Sequence, residues 1–140
     1  MNEQANIEVI RSTYAAFNAA DLTAILSHLA DGATWHNQGP ATVPYAGTFN
    51  GKTEIPRFFQ AIAESTTGGE VAAEEFIAQG ERVVALGRYR ATVRANGTAI
   101  DCPIAHVFTV RNGLIVSWEG YSDTVQVAAA HNPQAATVGA

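Results

Sequence analysis

The chain has 140 residues, of which 47% are hydrophobic and 15% charged, and its formal net charge is −5. This length suits one domain with a single core, and the chain is too apolar to be disordered. The acidic balance argues against a nucleic-acid surface, which needs a basic stripe. It leaves acidic small-molecule substrates open, because the charge of a local pocket can differ from the net charge.

Membrane and secretory signals are missing from the sequence. The N-terminus has neither a basic region nor an apolar run, and no stretch reaches the length of a transmembrane helix. Cys102 is the single cysteine, so an intramolecular disulfide is impossible. We therefore expect a soluble, cytoplasmic protein that binds neither membranes nor nucleic acid.

The N-terminal part predicts two helices and a short strand. Residues 3–19 form an amphipathic helix, since apolar side chains recur at three- and four-residue spacing at Ile7, Ile10, Tyr14 and Phe17. Asp21 is a good N-cap for a second helix with a stripe of Leu22, Ile25, Leu26 and Leu29. Asp31-Gly32 ends that helix. A strand follows over residues 33–37, with Trp35 and His36 on opposite faces.

The next segment predicts a loop and a third helix. Residues 38–51 are rich in Gly and Pro, and loops of this length often form a lid or the rim of a pocket. Tyr45 and Phe49 are its aromatic anchors. The third helix covers residues 53–64, where Pro56 is tolerated because it lies in the first turn. A connecting loop is expected at residues 65–69.

Residues 70–123 predict antiparallel strands joined by tight turns. Asn112-Gly113 is the strongest hairpin signal, and a two-residue loop there places His106 opposite Glu119 and Ile104 opposite Tyr121. Asn96-Gly97 places Gly87 opposite His106, and Gly80-Glu81 places Phe76 opposite Ala85. Pro103 makes the register beyond it less secure. A short helix is expected over 124–131, so that residues 1–131 form one domain and 132–140 a flexible tail.

Counting along these strands separates two faces of the sheet. The inner face is apolar with a polar cluster of His106, Glu119, Tyr121 and Asp123, which is typical of a ligand pocket. The outer face carries Trp118, Val107, Val116, Leu86 and Ile77, an apolar patch that predicts a twofold homodimer packed sheet to sheet. Helices before strands indicate an α+β fold with helices on one face of a curved sheet.

Three stretches resemble the SnoaL-like polyketide-cyclase family, within the nuclear-transport-factor-like and ketosteroid-isomerase-like superfamily. They are IRSTYAAFNAADLTAILSHLADGATWHNQGP, YAGTFNGKTEIPRFF and AHVFTVRNGLIVSWEGYSDT. The resemblance implies a cone-shaped α+β barrel, in which three N-terminal helices pack on a curved antiparallel sheet and enclose a hydrophobic pocket. It also implies a homodimer without metal or organic cofactor.

The same resemblance implies an acid/base aspartate at Asp123 in YSDT, beside His106 in AHVF. Ketosteroid isomerases carry their base in the first short strand, where this chain has Asn37. The predicted function is a cofactor-independent enzyme that abstracts a proton next to a carbonyl of a hydrophobic molecule, in an aldol cyclisation, isomerisation or lyase step. Asp123 is the acid/base, and His106 with Tyr121 stabilises the oxyanion.

Simpler interpretations of these residues remain open. Asp123 can serve only as the N-cap of the last helix, and His106 can form a buried pair with Glu119. The whole cone can then be a non-catalytic binding site for a hydrophobic ligand. The predicted substrate-binding residues are Trp35, Tyr14, Tyr45, Phe49, Phe58, Tyr89, Phe108 and Glu119. No metal-ligand spacing and no glycine-rich phosphate loop is present, so neither metal nor cofactor is expected.

Overall fold

The structure is a computed structural model that describes residues 2–132. The helices are α1 (Glu3–Asn18), α2 (Leu22–Ser27), α3 (Gly51–Ser65) and α4 (Thr124–His131). The strands are β1 (Leu29–Asn37), β2 (Gly47–Asn50), β3 (Thr66–Gln79), β4 (Arg82–Val93), β5 (Ala99–Arg111) and β6 (Leu114–Ser122). The predicted tail beyond residue 132 lies outside the described residues.

The six strands form one curved, open sheet in the order β2-β1-β6-β5-β4-β3. All neighbours are antiparallel except β1 and β6, which run parallel. Helix α1 packs on β3, and α3 packs on β1. The predicted α+β cone is therefore confirmed. Within residues 2–132, no helix is both long enough and apolar enough to cross a bilayer.

The first two helices have side-chain N-caps, of which Asp21 was predicted. The side chain of Asn2 accepts a hydrogen bond from the amide of Ala5 at 2.6 Å, and Asp21 accepts one from Ala24 at 3.1 Å. Helix α2 is shorter than predicted, because β1 already begins at Leu29, which pairs with Ile115. The segment around Asp31-Gly32 is thus part of a strand. Pairing with β6 outweighs the helical spacing of the leucines.

The loop and the third helix also differ in their bounds. The long segment after β1 contains a short strand, β2, which pairs with β1 so that Trp35 lies opposite Phe49. Helix α3 starts at once after β2, earlier than predicted, so Pro56 lies in its second turn and not in the first. The loop expected at residues 65–69 is instead the beginning of β3, which pairs with β4 from Thr66 onward.

The register of β4 is only partly as predicted. The turn at Gly80-Glu81 places Phe76 opposite Ala85, as expected. At the next turn the prediction is wrong by two residues, since Ala85 lies opposite His106. The cause is a wider loop, in which Val93 donates its amide hydrogen to the carbonyl of Thr98 at 2.8 Å. A shift of two residues preserves the face of each side chain.

The predicted register of β6 is wrong by one residue. This error has a larger effect than the two-residue error in β4. Pairing starts as predicted, with Val110 opposite Ile115, but Thr109 then lies opposite Ser117. Val116 is left over and forms a β-bulge. Beyond it, His106 lies opposite Gly120 instead of Glu119. Because side chains alternate, this shift turns every later side chain of β6 to the opposite face.

Candidate functional site

A cavity of about 80 Å³ lies between the helices and the inner face of the sheet, and it is partly open to solvent. Aromatic side chains form the largest group in its wall. The aromatic lining residues are Tyr14, Phe17, Trp35, Tyr45, Phe58, Phe59, Tyr89, Phe108 and Trp118. Aliphatic side chains from helices and strands fill the gaps between them. Such a concave, apolar space with few polar groups is the usual form of a small-molecule site.

The central polar feature of the cavity is a pair formed by His106 and Tyr14. The hydroxyl of Tyr14, on α1, and Nδ1 of His106, on β5, share a hydrogen bond of 2.7 Å. Phe108 packs edge-on against Tyr14, and Trp118 against His106, with centroid distances of 5.9 Å and 4.9 Å. Both members of the pair line the cavity, so a ligand can reach them.

Burial keeps this pair neutral. Loss of hydration lowers the pKa of His106 to about 3, and it raises the pKa of Tyr14 above its usual value. His106 is only partly covered by protein atoms, and it lines the cavity. No Asp, Glu, Lys or Arg is found among the described residues that line the cavity. The site is therefore uncharged near neutral pH.

Beside His106 the cavity has a floor of stacked indoles. Trp35 and Trp118 occupy paired positions on the parallel strands β1 and β6, and their rings stack at 4.7 Å with an angle of 23°. Phe58 packs against both rings. The Nε1 of Trp35 is buried and has no hydrogen-bond partner in the described structure. The two indoles and Phe58 thus form one packed aromatic cluster.

The opposite part of the wall comes from the segment after β1 and from α4. The hydroxyl of Tyr45 and Nε2 of His131 are 2.9 Å apart, which ties this segment to the end of α4. The Tyr89 hydroxyl is buried close to Tyr45 and Thr66 without a well-formed hydrogen bond to either residue. Burial is the main cause that raises the pKa values of Tyr45 and Tyr89. The hydroxyl groups of Tyr45 and Tyr89 therefore also stay neutral.

Most of the residues predicted from sequence do meet at this cavity. His106 lies on the inner face, as its position on β5 predicted. Seven of the predicted residues line the cavity: Tyr14, Trp35, Tyr45, Phe58, Tyr89, His106 and Phe108. Phe49 is not among them, because it packs behind Phe58 at 5.5 Å. The roles of these residues in substrate binding and catalysis remain predictions.

The predicted inner-face positions of Glu119, Tyr121 and Asp123 are wrong. The bulge at Val116 places Glu119 and Tyr121 on the outer face, where the Tyr121 hydroxyl donates to Glu119 at 2.9 Å. Asp123 is exposed and lies outside the lining. Its carboxylate accepts a hydrogen bond from the amide of Gln126 at 3.1 Å. The structure thus shows Asp123 as the N-cap of α4.

Two variants of Asp123 test this capping role. Asp123→Asn should leave stability nearly unchanged, since Asn caps a helix about as well as Asp. Asp123→Ala should lower the free energy of unfolding by about 1 kcal/mol, the usual cost of losing a cap. Urea unfolding of both variants measures the difference. An equal loss of stability in both variants would contradict the capping role. It would indicate instead that the negative charge of Asp123 matters.

Trp118 is the principal lining residue that the sequence interpretation missed, because it was predicted on the outer face. A signal for it is present in the strand. Ile115 and Trp118 are apolar and three positions apart, and Gly120 follows at the next inward position. A strand without a bulge cannot place Ile115 and Trp118 on the same face. That spacing indicates one inserted residue.

Side chains that ligate metal ions do not cluster in the described part of the chain. No cluster of three or more His, Cys, Asp or Glu side chains suitable for a metal ion occurs within residues 2–132.

Comparison with known proteins identifies the family. Residues 10–118 match the SnoaL-like domain. The chain belongs to this family. A search of curated proteins gave no match. The resemblance seen in the sequence is thus confirmed at the level of the family.

Among solved structures, similar chains cover nearly the whole SnoaL-like domain. An NTF2-like protein of unknown function from Burkholderia pseudomallei is 30% identical, with a TM-score of 0.86, covering 94% of this chain and 99% of that one. An NTF2-like protein from Burkholderia thailandensis is 31% identical, with a TM-score of 0.83 and coverage of 95% and 100%. TerC, co-crystallised with polyporic acid, is 30% identical, with a TM-score of 0.83 and coverage of 91% and 98%.

Proposed function

We propose that this chain binds an uncharged, apolar small molecule in the cavity and holds a hydroxyl group of that molecule on His106. The observation that carries this proposal is the neutral Tyr14–His106 pair in an aromatic cavity without charged lining residues. A neutral imidazole has one donor and one acceptor nitrogen. The tautomer therefore decides whether His106 presents a donor or an acceptor to the ligand. A hydroxyl suits both tautomers, because it can donate and accept.

One relative supports a small organic ligand. TerC, which is 30% identical over most of its length, was co-crystallised with polyporic acid. The cavity of this chain likewise offers a small organic ligand an aromatic wall. It offers no cation to balance a negative charge, so the ligand should be neutral.

Ligand binding is better supported than proton abstraction by a charged base. The predicted base, Asp123, caps a helix outside the cavity. His106 is a weak base, because burial lowers its pKa to about 3. Tyr14 is a weak acid, because burial raises its pKa. A single proton transfer to or from this pair would create a charge that no lining residue balances.

The charge preference is testable with two ligands of the same size. 2-Naphthol should bind at least about tenfold more tightly than 2-naphthoate, because burying an unpaired carboxylate costs several kcal/mol. Isothermal titration calorimetry near pH 7 measures both affinities. His106→Phe should weaken 2-naphthol, and the outer-face variant Tyr121→Phe should not. Equal affinity for both compounds, or tighter binding of 2-naphthoate, would contradict the proposal.

A second candidate function is a neutral proton relay, which the short Tyr14–His106 hydrogen bond favours. Nε2 takes a proton from the carbon next to a ketone, Nδ1 passes its proton to the oxygen of Tyr14, and the Tyr14 hydroxyl gives its proton to the ketone oxygen. The product is an enol, and neither side chain ends with a charge. This is the predicted proton abstraction, with the base reassigned from Asp123 to His106.

Deuterium exchange tests the relay without a known substrate. In D₂O, the protein should accelerate exchange of the hydrogens next to the carbonyl of 2-tetralone, followed by NMR. Tyr14→Phe should remove most of this acceleration, about 100-fold for a lost acid/base group, while 2-naphthol still binds. Asp123→Asn serves as the control with unchanged exchange. No acceleration by the wild type would leave ligand binding as the function.

We also propose a twofold homodimer through the outer face of the sheet. Ile77, Val84 and Val107 lie side by side across β3, β4 and β5, and Ile77 is 51% exposed. Trp118 is not part of this patch, contrary to the sequence-based prediction. Light scattering should give twice the mass of 14.8 kDa, and Val84→Lys should give the monomer. A wild-type monomer at micromolar concentration would argue against this interface.

A further inference from the structure

Gly120 is a buried glycine of β6 that lies directly against the indole of Trp118. On one side it is paired with His106 of β5, and on the other with Asn37 of β1. A Cβ atom at this position would lie 2.5 Å from Cζ2 of Trp118 and 2.8 Å from Oδ1 of Asn37. Real Cβ atoms do not approach other atoms so closely. The indole of Trp118 therefore occupies the space that a side chain at residue 120 would need.

The indole of Trp118 has little freedom to move elsewhere. Trp35 stacks on it at 4.7 Å, and Phe58 lies 5.4 Å away. Asn37 is held in place, since its Nδ2 donates to the carbonyl of Tyr45 at 3.1 Å. The unfilled space beside the indole is the cavity that Trp118 lines. A side chain at residue 120 would thus push the indole into the cavity.

We propose that Trp118 and Gly120 act together as the size-determining pair of the site, setting the largest aromatic ring system that the ligand can carry. This inference rests on the proposed ligand binding and adds its specificity. Because Gly120 has no side chain, the indole can occupy the space next to it, beside His106, and the bulk of the indole limits the depth of the cavity. The expected ligand is an uncharged aromatic alcohol whose ring system extends as far as the indole of Trp118 and no further.

Phenol, 2-naphthol and 2-hydroxyanthracene form a suitable probe series, because they share one hydroxyl and differ only in ring number. Gly120→Ala should weaken the larger probes relative to phenol by about tenfold or more, the usual effect of small volume changes in an apolar pocket. Trp118→Phe should shift the preference by about tenfold in the opposite direction. Calorimetric affinities are needed, because the substitutions change the indole fluorescence.

A double variant separates specificity from a general structural defect. In Gly120→Ala/Trp118→Phe, the smaller ring lacks the indole atoms that the new methyl group would meet, and only the contact with Oδ1 of Asn37 remains. Binding of the larger probes should therefore return. Gly32→Ala is the matched glycine control, because a Cβ there meets no atom within 4 Å and its φ is not positive. Its affinity ratios should equal those of the wild type.

The outcomes distinguish this inference from the function on which it rests. If the wild type binds none of the three probes, the proposed ligand binding fails and the size-determining pair fails with it. If the wild type binds them but Trp118→Phe and Gly120→Ala leave their affinity ratios unchanged, only the size-determining pair is overturned. Should Gly120→Ala fail to fold, the ratios of Trp118→Phe and of the double variant decide the question.

Discussion

Acidification from about pH 7 to about pH 4 should lower the free energy of unfolding by about 3 kcal/mol through His106 alone. In the unfolded chain its pKa returns to about 6.5, whereas burial lowers it to about 3 in the folded protein. Between these values the unfolded state binds more protons than the folded state. The contribution of His106 to the free energy of unfolding is therefore fully present above its unfolded pKa. It is lost progressively as the pH falls toward 3.

Urea unfolding at several pH values measures this effect, and His106→Gln isolates it. Gln can still accept a hydrogen bond from Tyr14 but does not titrate, so the variant should lose less stability in acid than the wild type. His131→Gln should show a smaller effect of the same sign, because partial burial also lowers the pKa of His131. His28→Gln is the control at the end of α2. Parallel pH profiles for the wild type and His106→Gln would contradict the buried, neutral state of His106.

Gly87→Ala should be the most damaging single-methyl substitution that we expect in the sheet. A Cβ at Gly87 would clash with the carbonyl oxygen of Ala72 and lie 2.9 Å from Cα of Ala73. These are backbone atoms of β3, next to the irregularity between Ala73 and Glu75, so a rotamer change cannot relieve the contact. The expected loss is about 3 kcal/mol, at the upper end of the usual cost of overpacking.

Urea unfolding of Gly87→Ala beside Gly32→Ala checks this expectation. The control adds the same methyl group to a strand at a position where a Cβ meets nothing within 4 Å. The two variants therefore differ in the space around the new atom and not in the substitution. A loss for Gly87→Ala as small as that for Gly32→Ala would show that β3 can move away from β4 without cost.

Local signals in the sequence determined the helices, the first and last tight turns and the inner face of β5. Asn2 and Asp21 cap helices by contacts within three residues, and Gly80-Glu81 and Asn112-Gly113 close their turns locally. Such features depend on neighbouring residues alone, so periodicity and turn chemistry are sufficient to predict them. The position of His106 on the inner face followed from this local count.

Only the tertiary structure decided the far half of β6 and, with it, the chemistry of the site. The bulge at Val116 moves Trp118 into the cavity and moves Glu119 and Tyr121 out of it. The bulge leaves one residue unpaired in the ladder. It also allows the Trp118 indole to stack on Trp35 of a strand that is distant in sequence. The same holds for the depressed pKa of His106, since desolvation comes from helices and strands that meet only when the chain is folded.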